Sequence, residues 1–544
     1  MFGAGRLIRT LGVCAVVALL AHVSPSDGAG CPGSGQQSVG PDVICGGVGV
    51  SDSGLNDFAN YAPATIGGVT YESFSIATVS CNLGDQPLPW FQPSIPSNDH
   101  PVIDQNFFRL KSVNGSRRFE QLAQGWVKYG FCAFAENVCC TTCQFFGDAP
   151  CGNHTYLGVG CSDPYTGSRN GGQSTGSLRC PKYFINPTTG VNGWPIPNPA
   201  GTNTTVWRRM HINVADLEVS DGSGDVNATR YFAEGAYLHN ADASAGNKNN
   251  NASYRAIKTS LPPPPYTGLW QFDAADPTTN TTVKQHAGIR AWADTDTTAT
   301  IPSTITRVVE TDVTTPEDGG LTALVILAAQ ATNLGNGFWH YEYAIENVNS
   351  DRSIASFALP LSGYANVANV GFKDVDYWDG DGVDAAGVGG TTYDGTDWPS
   401  SRSLSHGQLL WACAQSYAVN QGANALRWGT LYNFRFDCDL GPQLSGHDVA
   451  LVDASLSQFK PNGTSITGAT IVPASVACVR GDINGDGLID GADIARFSAI
   501  LVNGNTTATP RERCAGDLAA VADFGIGEDD IDNFAACVLG GGGC

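Results

Sequence analysis

FWHYEYAIENV (residues 338–348) alternates strictly: Trp339, Tyr341, Tyr343 and Ile345 fall on one side of an extended chain, and His340, Glu342 and Glu346 on the other. Successive side chains of a strand point to opposite faces, so this period of two predicts a half-buried antiparallel strand. Upstream, TALVILAAQ (322–330) predicts its neighbour, joined to it by the turn TNLGNG (332–337). Downstream, NSDRS (349–353) turns the chain into another short strand, ASFALPL (355–361). Repeated short strands with Gly, Asn and Asp turns predict a β-sandwich. No helix with convincing caps is legible before the C-terminal tail.

Composition points the same way. Only 15% of the residues are charged and 66 are glycine, which suits a loop-rich, mostly β protein better than a helical bundle. A chain of 544 residues is too long for one ordinary core, so two or three folded units are expected. The net charge of −22 repels nucleic acid and anionic membrane, and no basic run opposes it.

Arg6 and Arg9 precede an apolar run, Leu11 to Val23, followed by SPSDGAG (24–30). This is the pattern of a secretory signal peptide, residues 1–29, with cleavage between Ser26 and Gly30. No later segment is apolar enough to span a bilayer, so a secreted protein, extracellular or at the cell surface, is expected. Loss of Cys14 leaves 16 of 17 cysteines in an oxidising space, where disulfides are the expected state for all of them. Residues 30–260 form a Cys/Gly-rich β region, LPPPP (261–265) reads as a polyproline spacer, and 261–477 hold the sandwich-like region.

The tail, 478–544, carries the sharpest motif. In GDINGDGLIDGADIARF (481–497), Asp482 stands at position 1 of a loop, Asn484 at 3, Asp486 at 5, Gly487 at 6, Leu488 at 7, Asp490 at 9 and Asp493 at 12. Calcium takes six to eight oxygens at about 2.3–2.6 Å, and this order supplies five side chains and the Leu488 carbonyl around a glycine that permits the sharp turn. Ile494 and Phe497 begin an apolar helix face after the loop. A second copy begins at GDL (516–518), where DDIDNF (529–534) matches ADIARF (492–497). Ala519 and Val521 stand where oxygen ligands belong, so the second loop is expected to close weakly on Asp517, Asp523 and Asp530 or to hold no metal.

Asp rather than Glu at position 12, a single helix after the loop and the duplicated pattern resemble the dockerin module over Cys478 to Cys544. That resemblance implies a small α-helical calcium module. Gly491 and Ala492 lack the hydroxyl pair used in cohesin docking, and the ending GGGGC (540–544) more closely resembles GC-type dockerin tails. Such tails imply sorting or anchoring of a secreted bacterial cargo on a cell-surface or cohesin-like partner. TYLGVGCSDPYTG (155–167) and WHYEYAIENVNSDRS (339–353) are similar to secreted bacterial proteins bearing that tail, a likeness of architecture that names no activity.

The body offers weaker candidates. Cys140 and Cys143 in a C-x-x-C spacing, with His154 and Cys161, suit zinc or copper, whereas the surrounding cysteines favour disulfides. Asp374, Asp376, Asp379, Asp381 and Asp384 in FKDVDYWDGDGVD (372–384) read equally as a second calcium site or a solvated acidic loop. Trp90, Trp378 and Trp398 are candidates to stack on sugar rings. His100, His211, His239, His286 and His340 are scattered singles. G-x-S-x-G, H-E-x-x-H and C-x-x-C-H motifs are missing. The expectation is therefore a mostly β, disulfide-rich, sandwich-like structural or binding protein, localised by a calcium-binding dockerin-like tail, with carbohydrate as a candidate ligand. The rival is a secreted carbohydrate-active or metal-dependent enzyme carrying the same tail.

Overall fold

The computed structural model describes Cys31 and residues 37–540, apart from 52–55, 93, 174–177, 194–195, 197–204, 223–227, 262–269, 299–303 and 520. The signal-like segment, the prolines of LPPPP and the closing residues 541–544 lie outside the described residues.

Trp339–Asn347 pairs antiparallel with Thr322–Asn333 on one side and Thr430–Cys438 on the other. Val309–Pro316 and Val367–Lys373 complete a five-stranded central sheet. NSDRS then carries the chain out of this sheet. Ile354–Pro360 becomes the middle strand of a second, outer sheet, between Gln408–Ala412 and Leu451–Gln458, with Ser400–Ser403 and Ser465–Ile471 at its edges. Between the two sheets, Tyr341, Tyr343, Ile345, Phe434 and Phe436 pack on Phe357, Trp411 and Leu456. This is the sandwich that the alternation implies.

The other face of the central sheet is covered as well. A sheet from the Cys/Gly-rich region, here called the first sheet and built on Val102–Val113 paired with Ser116–Gln124 and Arg230–Leu238, lies against it. Phe108, Phe119 and Phe232 of that sheet share a cluster with Leu324, Ile326, Ala344 and Leu431, so residues on both sides of 261–265 belong to one core. Trp339–Asn347 is thus buried on both faces rather than half-buried, and Glu342 and Glu346 are 0% and 2% exposed. The period of two reports two chemically different faces, and here protein partners stand where water was expected. The nearly unbroken apolar run of TALVILAAQ has the same cause, since a strand covered on both sides needs no polar face.

Beyond the first sheet, Phe74, Trp90, Phe107, Tyr231, Tyr237 and Phe272 form a further cluster, closed by small sheets of the Cys-rich region. Four disulfides brace it: Cys31–Cys140, Cys81–Cys139, Cys132–Cys151 and Cys143–Cys161. Cys45, Cys180, Cys413 and Cys438 are free thiols, which corrects the expectation of complete pairing. Three of them, Cys45, Cys180 and Cys438, are buried within apolar clusters, and there cysteine behaves as a small apolar side chain. Short helices also precede the tail, against expectation. Asn240–Ala245, for example, is capped by the His239 imidazole and closed by Gly246 at φ +88°, a cap outside the usual Ser/Thr/Asp/Asn set.

In the tail, Asp490 caps the helix Gly491–Asn503 in a reciprocal box with Asp493. Thr509 and Glu512 do the same for Pro510–Gly516, and Ile531–Leu539 is the last helix. Phe497 and Phe534 stack at 3.9 Å over Ile483, Ile500 and Leu518, and Cys478 is bonded to Cys514. Ile494, expected on this apolar face, is 48% exposed, and Ile531, at the matching place before Phe534, is 43% exposed, so the core is closed by the two phenylalanines and not by these isoleucines. The tail is seated on the body. Arg513 donates to the Tyr364 carbonyl at 2.9 Å and to Asp439 at 2.8 Å, the Tyr364 hydroxyl donates to Asp517 at 3.1 Å, and the Tyr364 and Phe524 rings meet at 5.3 Å. Among the described residues no helix is long and apolar enough to cross a membrane.

Candidate functional site

Of the six loop residues named from sequence, Asp482, Asn484, Asp486, Leu488 and Asp490 lead into the capped helix and Asp493 lies in its first turn. Asp482 accepts from the amides of Gly485 at 2.6 Å and Gly487 at 3.1 Å, and Asp493 from those of Asn484 at 2.9 Å and Asp490 at 3.1 Å. Asp486 accepts from Leu488 N at 2.8 Å, and Arg511 closes the back of the loop on the carbonyls of Asp482 and Ile483. A carboxylate oxygen has two lone-pair sites, so one N–H bond still leaves a site for a cation, and in kind the donor set fits calcium. Among the described residues, no three His, Cys, Asp or Glu side chains already converge as a metal cage.

The second loop repeats this wiring with fewer oxygens. Asp530 accepts from Ala519 N at 2.7 Å and Gly527 N at 2.8 Å, as Asp493 does from Asn484 and Asp490. Ala519 and Gly527 therefore occupy the places of Asn484 and Asp490, and neither has a side-chain oxygen. Asp517, in the place of Asp482, is held by Phe524 N and the Tyr364 hydroxyl.

The body candidates disperse. Cys140 bonds to Cys31 and Cys143 to Cys161, which removes the thiolates that a metal would need, and His154 lies in the open 3.8 Å from Asp148. Asp374 binds Asn424, and Asp384 accepts from the amides of Ala386 and Val388, so the acidic run is spread over separate turns. Trp90 and Trp398 are 0% and 2% exposed, with indole N–H groups bonded to Tyr165 and the Asn424 carbonyl, and Trp378 packs on Tyr71 and His211. Trp90 and Trp398 are thus not free to stack on a sugar, whereas Trp378 is half-buried. His340 sits between Glu342 at 2.9 Å and Asp437 at 2.5 Å, and these carboxylates hold its pKa above the ordinary imidazole value despite burial.

One acidic residue does reach a cavity. Asp381 accepts from the Trp126 indole at 2.6 Å and from Trp378 N at 2.8 Å, and burial pushes its carboxyl up to about 6. It lines a space of about 140 Å³ between the first sheet and the loops of the sandwich. Trp126, Trp428, Tyr377, Tyr393 and Arg427 share the wall. Arg427 lies over the Tyr393 ring at 3.8 Å and is anchored on the carbonyls of Gln421 and Ala423. This aromatic wall is assembled from segments some 250 residues apart, which no local pattern could announce; only Asp381 was legible.

No protein-family model matches this chain, and no curated protein matches it.

Proposed function

We propose that this is an extracellular binding protein that captures one ring of a carbohydrate in the Asp381 cavity, and that its tail is a calcium-folded anchoring module. The cavity carries the reading. Its volume of about 140 Å³ suits a single six-membered ring, the size class of cavity that takes up benzene when the walls are wholly apolar. Here the walls mix indole and phenol faces with a carboxyl and a guanidinium, the combination that stacks on a ring and fixes its hydroxyls. Calcium would be held by Asp482, Asn484, Asp486, Asp490, Asp493 and the Leu488 carbonyl, and would supply the charge that organises the loop.

Trp126 and Trp428 make the cavity observable. Titrating the full chain with mono- and oligosaccharides should change tryptophan emission saturably, and Arg427→Ala should abolish the change while far-UV circular dichroism stays constant. No saturable response to any sugar class would sink the carbohydrate reading. Asp381, held above the usual carboxylate range, also supports the rival reading of a glycosidase acid; turnover of aryl glycosides that is lost in Asp381→Asn would establish it. For the tail, calorimetry on the full chain should show one tight calcium site, lost in Asp482→Ala and retained in Asp517→Ala. Two equal sites would refute the assignment of the second loop as degenerate.

A further inference from the structure

Between the first and central sheets, Lys182 is folded over an asparagine. Its Nζ donates to Asn106 Oδ1 at 2.9 Å, to Asp104 Oδ2 at 2.8 Å and to the Gly429 carbonyl at 3.0 Å. Asn106 is 0% exposed and Asp104 1%. The same carboxamide is gripped at both ends. Its oxygen also accepts from Gln121 Nε2 at 3.0 Å, and its Nδ2 donates to Glu234 Oε1 at 2.7 Å and to Asp104 Oδ2 at 3.0 Å. Asn106 and Glu234 are direct cross-strand partners, which fixes their approach, and Asp104 lies two residues away on the same face. Gly429, at φ +67°, makes room for the amine: a Cβ there would come within 2.5 Å of Lys182 Nζ.

We propose that Lys182 and Asn106 join spontaneously in an intramolecular isopeptide bond. An amine in hydrogen-bond contact with a buried carboxamide is held beside the carbon it would attack, and holding the two together replaces the collision that makes the reaction slow in water. Asp104 takes a proton from the Lys182 ammonium. The freed Nζ lone pair attacks Asn106 Cγ, and the negative charge that develops on Oδ1 falls on the Gln121 N–H. Glu234 passes a proton to Nδ2 and recovers one from Nζ as the Cγ–Nδ2 bond breaks. The departing ammonia takes the proton held by Asp104, so ammonium leaves and both acids return to their starting forms. Burial, with the charge of Asp104 nearby, raises Glu234 above the ordinary carboxylate range and so favours its protonated form. A cavity of about 20 Å³ lined by Asp104, Glu234 and Gly429 adjoins the site, enough for one water-sized molecule to depart through.

The bond would close a loop across a sequence separation of 76 and remove one positive charge. Mass spectrometry of the full, reduced chain decides the matter. The expected mass is lower than the sequence requires by one ammonia, about 17 Da, and digestion should yield one branched peptide joining Lys182 to Asn106. Lys182→Arg and Asn106→Ala should carry full mass, and Glu234→Gln, which keeps the shape but not the acid, should acquire the link at least tenfold more slowly. Wild-type protein of full mass, or of lowered mass with the two peptides separate, would overturn the proposal without reference to any variant.

Discussion

The two faces of Trp339–Asn347 are equally buried and held by opposite means. Tyr341, Tyr343 and Ile345 enter an apolar core shared with Phe434 and Trp411, in which the Tyr343 hydroxyl is satisfied by the Ile471 carbonyl. Across the sheet, Glu342 is met by Arg118 at 2.9 Å and by His340, while Glu346 accepts from Ile289 N at 2.8 Å and lies beside Glu234. An apolar face gains from every atom removed from water. A charged face has to recover the cost of desolvation through named partners, so its contribution depends on their all being present.

The largest break should come on the apolar side. Phe434 is wholly buried among Phe357, Phe372, Trp398 and Trp411, and Phe434→Ala should destabilise the body by about 3–5 kcal/mol in urea unfolding. Next, Glu342→Gln should cost about 1.5–3 kcal/mol, because Arg118 and His340 lose a charged acceptor. Replacing Arg118 and Glu342 together by Met should recover most of that loss; a double variant no better than the single would show that the charged face stabilises as apolar packing does.

The smallest effect sharpens the contrast through pH. Burial raises Glu234 and Glu346 above the ordinary value of 4.5, and raises Asp163 and Asp242 from 3.8 to about 8. At these four groups the folded chain binds more protons than the unfolded one, so their contribution to stability is greatest at low pH and falls as pH rises from about 4 towards 8. The melting temperature should therefore drop between pH 5 and pH 8. Glu346→Gln keeps the hydrogen-bonding shape without the charge; it should be near neutral at pH 5 and stabilising at pH 8. An unchanged pH slope in that variant would place the titration elsewhere.

The limits of sequence reading follow the same division. Alternation located the 322–348 hairpin, because a strand's faces are a local property. It could not say what covers His340, Glu342 and Glu346, since the covering sheet comes from residues 102–274. The capped helix after Asp490 was legible for the same local reason. The Asp381 cavity and the Lys182–Asn106 contact were not, because Trp126, Lys182 and Trp428 meet only through tertiary packing.

The seating of the tail on Tyr364 and Asp439 has a mechanical consequence. Asp439 directly follows Thr430–Cys438, a strand hydrogen-bonded along both edges, to Trp339–Asn347 and to Val367–Lys373. If the tail is tethered and the body is pulled by something it holds, part of the tension enters at the end of that strand, through Tyr364 and Asp439, and part through the chain itself at Ser465–Ile471. The ladders on either side of Thr430–Cys438 are then strained in parallel, many bonds at once, instead of unzipping one after another. The edge strand Ser465–Ile471, which continues into the tail, is relieved of part of the load for as long as that seat holds.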